Sequence, residues 1–600
     1  MRDDLLTRWV HQPPAEPNVQ YLRDAERLAA WEQLGPREHV LDVASEANVT
    51  AGLDAERVTR VDFSPGASER AETVLGGVVD RYERADPEAV SLPFEADTFD
   101  GAVSIGPFDW KFLDVDRLLD ELHRVVDPAG RLVFSVPTPR SPYATDNWPT
   151  IRYYTPEEAE AVVSPDWRRV DRDLVFQYPY RIHRLLNDLP ARYQEPFVDV
   201  GWRMNRLLTG CDLVDQASYL VYGVHPMAFE DRLEAALACL FRPTDEQGFW
   251  DPAAERFVRA LRYERRPGGT GDGFAWTPTD DIEWRYAPFA LMGAMQWRAS
   301  AFGTDAHDAK LRRELTYFTE RVADGTVETE MPSYGVGPLT EAFALAARTF
   351  DDRSHADTAE RLFTVGADRF DFDHAEDSLL LYGWARLFEH RPSERLASAI
   401  DDALWAVVDR QTADGVFEFD NPTTRRHQNQ MYTLWGLARA IEVTGRTNYL
   451  ENVERTLAYA VDERMREDGA FLWKDVSRRQ RFAHARRRGH DPDPPQWTLL
   501  FECHQTFFVN AVAHYEAASD GRRTRSFAPA VRRAMSWMYG GNEWERDLVA
   551  HSGIGVPMRF TTVDGRMDVA EQRFKGAYEV GSYLMALTNL LTRTAGSGGG

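Results

Sequence analysis

Lysine is almost missing from this chain. Of 70 basic residues among 600, only Lys111, Lys310, Lys474 and Lys575 are lysines, set against 96 carboxylates. The formal net charge of −26 gives a surface that repels phosphates, so a nucleic-acid partner is not expected. Cysteine is scarce as well. Cys211, Cys239 and Cys503 stand far apart without Cys-x-x-Cys spacing, which excludes a disulfide framework and a zinc knuckle. No apolar run approaches the length of a membrane span, and Met1 to Pro14 lacks the charged-then-apolar order of a signal peptide. The expectation is a soluble, cytoplasmic chain with no transmembrane segment.

Glycine is absent where it is most needed. His39–Val43 and Val58–Phe63 read as strands, and the loop after the first runs Ala44-Ser45-Glu46-Ala47. A nucleotide-type strand-to-helix turn uses glycines there, so that the backbone can approach a ligand and adopt positive φ. Leu118–Val126 has helical apolar spacing, Asp127-Pro128-Ala129-Gly130 breaks it, and Arg131–Val136 reads as another strand. This alternation predicts an α/β domain with a doubly wound parallel sheet over residues 1–226.

The order Val-Asp-Phe-Ser at 61–64, Ala-Asp-Pro-Glu-Ala at 85–89, Leu-Pro-Phe at 92–94, Thr-Phe-Asp at 98–100 and Arg-Val-Val-Asp-Pro-Ala-Gly-Arg-Leu at 124–132 resembles the class I S-adenosylmethionine-dependent methyltransferase family. Tyr153-Tyr154-Thr155-Pro156-Glu157-Glu158 matches a segment near that family's substrate end. The resemblance, over roughly residues 20–225, implies that Asp62 meets the ribose hydroxyls and Asp86 the adenine amine, with Asp42 fixing the loop. The glycine-free loop departs from the pattern and puts a carboxylate, Glu46, beside the cofactor's amino-acid part. The domain therefore reads as a worn copy, and S-adenosylmethionine is not required for the chemistry sought further along.

From Met227 the pattern turns helical. Candidate helices are Phe229–Phe241, Ala253–Tyr263, Ile282–Ala301, Ala306–Ala323, Leu339–Phe350, His355–Arg369, Ala375–Glu389, Glu394–Gln411, Asn429–Thr444, Thr447–Arg466, Thr498–Ala518, Phe527–Trp537 and Val569–Thr592. Gln411-Thr-Ala-Asp-Gly-Val-Phe recurs as Met465-Arg-Glu-Asp-Gly-Ala-Phe, 54 residues on, as expected of repeated helical hairpins. Alternate helices are apolar nearly all round, as an inner ring would be, and their neighbours are striped. The arrangement resembles the (α/α)6 toroid of the six-hairpin glycosidase-like superfamily, over residues 227–594, with 595–600 left as a Gly/Ser linker. That superfamily implies glycoside hydrolases, polysaccharide lyases, uronyl C5-epimerases and sugar 2-epimerases.

In such a toroid, polar groups at one end of the inner helices converge on a pocket. The candidates are His427, Gln428, Asn429, Gln430 and Tyr432 after the first repeat turn, and Glu502, His504 and Gln505 at another helix start. Asp281, Trp284 and Arg285, then Tyr334, then Tyr578 and Glu579 open further helices. His427, Asn429, Tyr432, Glu502, His504 and Asp281 are assigned to catalysis and the others to binding; helix capping or core packing explains many such residues equally well. Arg486 and Arg487 belong to a basic loop whose guanidinium forks match carboxylate or sulfate. His484 and His490 offer no metal spacing, and no metal is expected.

A hydrolase needs two carboxylates flanking a glycosidic bond. Removal of the proton beside a uronate carboxylate needs that acid neutralised and His, Tyr or Glu to move protons. The polar set fits the second chemistry better, in an epimerase or lyase. Acidic, lysine-poor composition resembles proteins of salt-loving archaea, whose glycosylation clusters carry alginate-lyase-like proteins. The resemblance implies surface-glycan biosynthesis, an acidic glycan or lipid-linked oligosaccharide as partner, and other glycan-biosynthesis enzymes alongside. Two alternatives stand: an active glycan methyltransferase and a non-catalytic scaffold.

Overall fold

The computed structural model describes the chain apart from residues 1, 13–14, 88–89, 96–97, 142–149, 156–157, 160–161, 163–165, 210, 212, 266–273, 280–283, 421–426, 474–498, 520–524, 564, 566–573 and 598–600. It divides into two compact units, Met1–Ala228 and Phe229–Gly600.

The first unit is built on a seven-stranded sheet in the order β3-β2-β1-β4-β5-β7-β6. Its strands are β1 (Arg37–Val43), β2 (Ala55–Asp62), β3 (Arg81–Arg84), β4 (Phe99–Ser104), β5 (Val126–Pro137), β6 (Trp167–Val175) and β7 (Tyr219–Pro226). The first five run parallel, and β7 lies antiparallel between β5 and β6. The expected break at Asp127–Gly130 falls inside β5, where the register with β4 shifts. Helices that accompany the sheet among the described residues are α1 (Arg2–Val10), α2 (Pro17–Leu34), α3 (Ala47–Ala51), α4 (Pro65–Leu75), α5 (Val115–Val125), α6 (Tyr180–Asn187) and α7 (Ala191–Thr209). Apolar residues pack on both faces, one core gathering Val43, Leu118 and Phe134, the other Val40, Val103 and Tyr21. Burial on both faces is what a parallel sheet demands.

The second unit alternates outer and inner helices. The outer ones are α8 (Phe229–Phe241), α10 (Asp308–Ala323), α12 (Arg353–Arg369), α14 (Glu394–Val408), α16 (Leu450–Tyr459) and α18 (Ala528–Met538). The inner ones are α9 (Ala287–Ala299), α11 (Ser333–Thr349), α13 (Ser378–His390), α15 (His427–Thr444), α17 (Glu502–Ser519) and α19 (Ala577–Ser597). Each inner helix packs against the next, and α19 returns to α9, so the ring closes into an (α/α)6 toroid. α19 runs through the first residues of the stretch expected as a linker. The two repeat segments form matching bridges, Gln411 to Phe417 and Met465 to Phe471, each turned by a positive-φ glycine, Gly415 and Gly469.

One expected helix does not form. Ala253–Tyr263 instead supplies two strand segments, Arg256–Phe257 and β8 (Ala260–Arg265). β8 pairs antiparallel with β9 (Phe274–Pro278) and β10 (Phe574–Gly576), and those non-local ladders override the local helical pattern.

Inner helices approach until their backbones touch. A Cβ on Gly293 of α9 would stand 2.3 Å from the Gly581 carbonyl oxygen of α19, and one on Gly383 of α13 the same distance from that of Gly337 in α11. Replacing a helical glycine with alanine ordinarily stabilises by about 1 kcal/mol. We expect the opposite sign for Gly293→Ala, a fall of several degrees in Tm measured by calorimetry; an unchanged or raised Tm would mean the ring is looser than described.

Candidate active site

One end of the toroid holds a cavity of ≈ 450 Å³, walled by Arg259, Tyr286, Phe289, Tyr334, Glu376, Gln428, Tyr432, Arg559, Phe574, Gly576 and Tyr578. Five of the six inner helices, or the segments leading into them, reach its wall. Aromatic rings make a continuous collar: Tyr334 stacks on Tyr286 at 5.4 Å, Tyr286 meets Tyr578 at 5.9 Å, and Phe289 bridges Tyr578 and Tyr432 at 6.4 and 5.9 Å. Such rings present flat apolar faces with polar tips, as a sugar-binding wall requires.

Two arginines and one carboxylate break the collar. Arg259 lies over the Tyr286 ring, and its carbonyl accepts from the Ala577 amide, which ties the start of β8 to the start of α19. Arg559 donates through Nε to Glu579 Oε1 at 2.8 Å, and Glu579 Oε2 accepts from the Gly576 amide at 3.1 Å. Behind them Lys575 pairs with Glu502 and stands 3.6 Å from Glu579. Burial opposes the charge on Lys575, yet the two carboxylates hold its pKa above the ordinary value. Glu502 is pushed up to about 8, by burial first, with Lys575 pulling the other way. The cluster thus balances two cations against two acids, and Glu376 is the single carboxylate on the described wall.

Tyr432, Gln428, Tyr334 and Tyr578, singled out from sequence, all stand on this wall, and Gln428 donates to the Tyr432 hydroxyl at 2.8 Å. Glu502 and Glu579 sit directly behind it. The remaining candidates point elsewhere. Gln430 accepts from and donates to the Phe417 backbone at 2.8 and 2.9 Å, pinning the repeat turn. Asn429 is buried away from the wall, and the buried Gln505 amide faces the Phe501 and Glu502 carbonyls. His427 stacks on Phe471, and its Nε2 meets the His504 carbonyl at 3.2 Å. Burial holds His427 well below the usual imidazole range and His504 down to about 3, so both are neutral at pH 7. Trp284 packs on Phe318 and under Arg321 of α10, and Arg285 also lies off the wall. Asp281, Arg486 and Arg487 lie outside the described residues. Sequence reading missed Arg259, Arg559, Glu376 and Tyr286; only Tyr286, next to Arg285, stood beside a flagged position. Among the described residues no group of three His, Cys, Asp or Glu could hold a metal ion, and no helix is long and apolar enough to cross a membrane.

In the first unit the glycine-free loop keeps a glycine-like backbone, with Ala44 at φ 49°. Side chains occupy what the loop encloses. Asp42 Oδ1 accepts from the Ser45 amide at 3.1 Å, Ser45 Oγ accepts from the Ile105 amide at 3.0 Å, and Glu46 pairs with Arg27 at 2.5 Å. Arg60, wholly buried, bonds Asp42 at 2.5 Å and grips Asp62 through Nε and Nη2 at 2.9 and 2.8 Å. Burial opposes the Arg60 charge, but the two aspartates hold its pKa above the ordinary value. Asp86 is exposed. Beyond the loop the indole of Trp9 lies on Gly106, where a Cβ would stand 2.1 Å away. The remaining space, bounded by Trp9, Glu26, Arg27, Glu46 and Asp109, is ≈ 30 Å³. Small-molecule sites measure ~300–1,000 Å³. Asp62, the acid that the resemblance assigns to the ribose, is thus engaged by Arg60 rather than open to a cofactor.

The sheet order and loop position agree with sequence comparison, in which the methyltransferase domain family matches residues 41–134. The first unit contains a methyltransferase domain. A demethylmenaquinone methyltransferase of Clavibacter sepedonicus is 39% identical over 119 residues, covering 18% of this chain and 48% of that protein. The chain thus spans about half the length of the curated relative it matches. Among solved structures, geranyl diphosphate C-methyltransferase from Streptomyces coelicolor A3(2) is similar at 13% identity and TM-score 0.26, over 36% of this chain and 87% of that one. Cellobiose 2-epimerase from Bacillus thermoamylovorans is similar at 12% identity and TM-score 0.41, over 60% and 97%.

Two outcomes follow from these charges. Arg60→Met leaves two buried aspartates without their cation and is expected to cost ~3–5 kcal/mol; native-like stability of Arg60→Met by denaturant titration would contradict the description. Separately, a histidine whose folded pKa is depressed binds protons in the unfolded state first. His504 therefore subtracts stability as pH falls from about 6.5 towards about 3, and His504→Gln should flatten that acid loss. An unaltered acid-unfolding curve would show that His504 is not held neutral.

Proposed function

We propose that the toroid is a carbohydrate-active enzyme that removes the proton beside the carboxylate of a uronic acid, as a C5-epimerase or a lyase. One observation carries the reading: two arginines, four tyrosines and a single carboxylate converge on one cavity from separate helical hairpins. Arg259 and Arg559 are suited to neutralise a sugar carboxylate, which makes the neighbouring C–H acidic enough to lose its proton. Glu376, half-buried just before α13, serves as the base. α13 and α19 stand opposite in the ring of six, so Tyr578 faces Glu376 across the cavity. Burial holds Tyr578 and Tyr432 well above the ordinary phenol range, which keeps them as proton donors. Glu376 takes the C5 proton, and the electron pair rests on the arginine-bound carboxylate. A tyrosine then either returns a proton to the other face of C5, or protonates the departing oxygen at C4 as the double bond forms. A single described carboxylate disfavours the paired-acid geometry of a glycoside hydrolase.

In this reading His427 and His504 support the wall from behind. The substrate is an acidic glycan or lipid-linked oligosaccharide in the surface-glycan biosynthesis of a halophile, supported by the −26 net charge and the four-lysine composition. The pairing of Asp62 with Arg60 favours a non-catalytic role for the first unit.

The native chain, incubated in D2O with glucuronate- and mannuronate-containing oligosaccharides, should place deuterium at C5 or release an unsaturated product. Glu376→Gln should slow this by about 10²–10⁴-fold, and Arg559→Met should lower kcat more than it raises KM. Failure of the native chain to exchange or cleave any uronate would remove the proposal; full activity in Glu376→Gln would remove the assigned base.

A further inference from the structure

The sheet of the first unit changes direction between β1 and β4: the chain leaves β1 towards β2 and leaves β4 towards β5, on opposite sides. Open α/β sheets form a ligand crevice at such a point, outside the carboxyl ends of the strands. The loops after β1 and β4 are tied there by the bond between Ser45 and Ile105, and the ≈ 30 Å³ pocket lies beside them. Its wall gathers three buried polar atoms that no protein group satisfies: Asp109 Oδ1, Trp9 Nε1 and Arg27 Nε. Burying such groups unpaired is costly, and a carboxylate more so than a neutral donor.

Asp109 is 5% exposed. It faces Glu26, which accepts from the Ser135 hydroxyl; burial first, and then the Glu26 charge, lift Asp109 well above the ordinary carboxylate range. Arg27 commits its two Nη groups to Asp24 and Glu46 at 2.8 and 2.5 Å, so among the described residues no cation is bonded to Asp109 or Glu26. Nor do the described acids form a group of three that could hold a metal ion.

These requirements are specific. Asp109 and Glu26 call for a cation with hydrogens to donate, whereas the Trp9 and Arg27 N–H groups call for an acceptor. On the measure by which one water needs ~10–15 Å³, the pocket takes about four bonded non-hydrogen atoms. We propose that the first unit binds a short amino alcohol here, its ammonium at Asp109 and Glu26 and its hydroxyl oxygen accepting from Trp9 Nε1 or Arg27 Nε. The ammonium makes charge-assisted bonds to both acids. A carboxylate in place of the hydroxyl would stand beside Glu26, Glu46 and Asp109, so like charge rejects an amino acid. That sets the ligand apart from the amino-acid part of S-adenosylmethionine, which the methyltransferase resemblance seats by the same loop. This binding is independent of the uronate chemistry of the toroid.

Equilibrium dialysis of the full chain against radiolabelled ethanolamine, at constant potassium chloride, should show one saturable site per chain. Unlabelled methylammonium should compete about tenfold more weakly, and glycine and ethylene glycol should not compete. Asp109→Asn should weaken ethanolamine binding at least about tenfold while keeping or raising Tm, because an amide of the same shape replaces an unpaired buried acid. Glu26→Gln, which can still accept from Ser135, carries the same expectation for binding. Trp9→Phe should weaken ethanolamine but not methylammonium. The absence of saturable binding overturns the proposal, as does binding unchanged in both Asp109→Asn and Glu26→Gln. Displacement of ethanolamine by glycine overturns it by showing that a carboxylate is accepted, and displacement by S-adenosylmethionine does so by returning the pocket to that cofactor.

Discussion

The second unit depends on helices packed until backbone meets backbone. Gly293 against Gly581, and Gly337 against Gly383, remove the side chains that would otherwise hold inner helices apart. Six such helices close a ring narrow enough for rings from neighbouring hairpins to touch, and the collar from Tyr334 to Tyr432 is the result. The cavity's size and its polar convergence are thus consequences of glycine placement deep in the ring. Outer helices, striped rather than uniformly apolar, supply the belt that keeps the ring from opening.

Buried charge is handled in the same way in both units, by ion-paired clusters. Arg60 sits between Asp42 and Asp62 in the first, and Lys575 and Arg559 sit among Glu502 and Glu579 in the second. A buried ion keeps its charge only where partners repay the loss of water. The consequences differ. In the first unit the cluster engages the acid that the methyltransferase resemblance assigns to a ribose. In the second unit the cluster lies behind a wall and fixes Arg559, which lines the cavity, through its bond to Glu579.

Much of the site was legible in the chain and much was not, for reasons of periodicity and pairing. The polar mouths of α15, α17 and α19 stood out because inner helices are otherwise apolar. Which of their residues face the cavity follows from 100° per residue: Gln428 and Tyr432, four apart, share a face, while His427 and Gln430 turn towards α17 and the repeat hairpin. That choice needs the helix's rotation, which its sequence does not give. Arg259 and Arg559 carried no local signal. Arg259 precedes a strand whose ladder partner, β10, lies near the other end of the chain, and local pattern there favoured a helix.

By itself the sequence determined the α/β-then-helical division, the positions of most helices, the repeat turns at Asp-Gly, and the missing glycines of the first loop. These rest on local periodicity and on backbone chemistry carried by single residues. Tertiary structure alone decided that the ring closes, that Arg60 fills the place between two aspartates, and that two arginines share a wall with Glu376. Each of those is a contact between segments distant along the chain, whose energy comes from burial and charge pairing that no short window of residues contains.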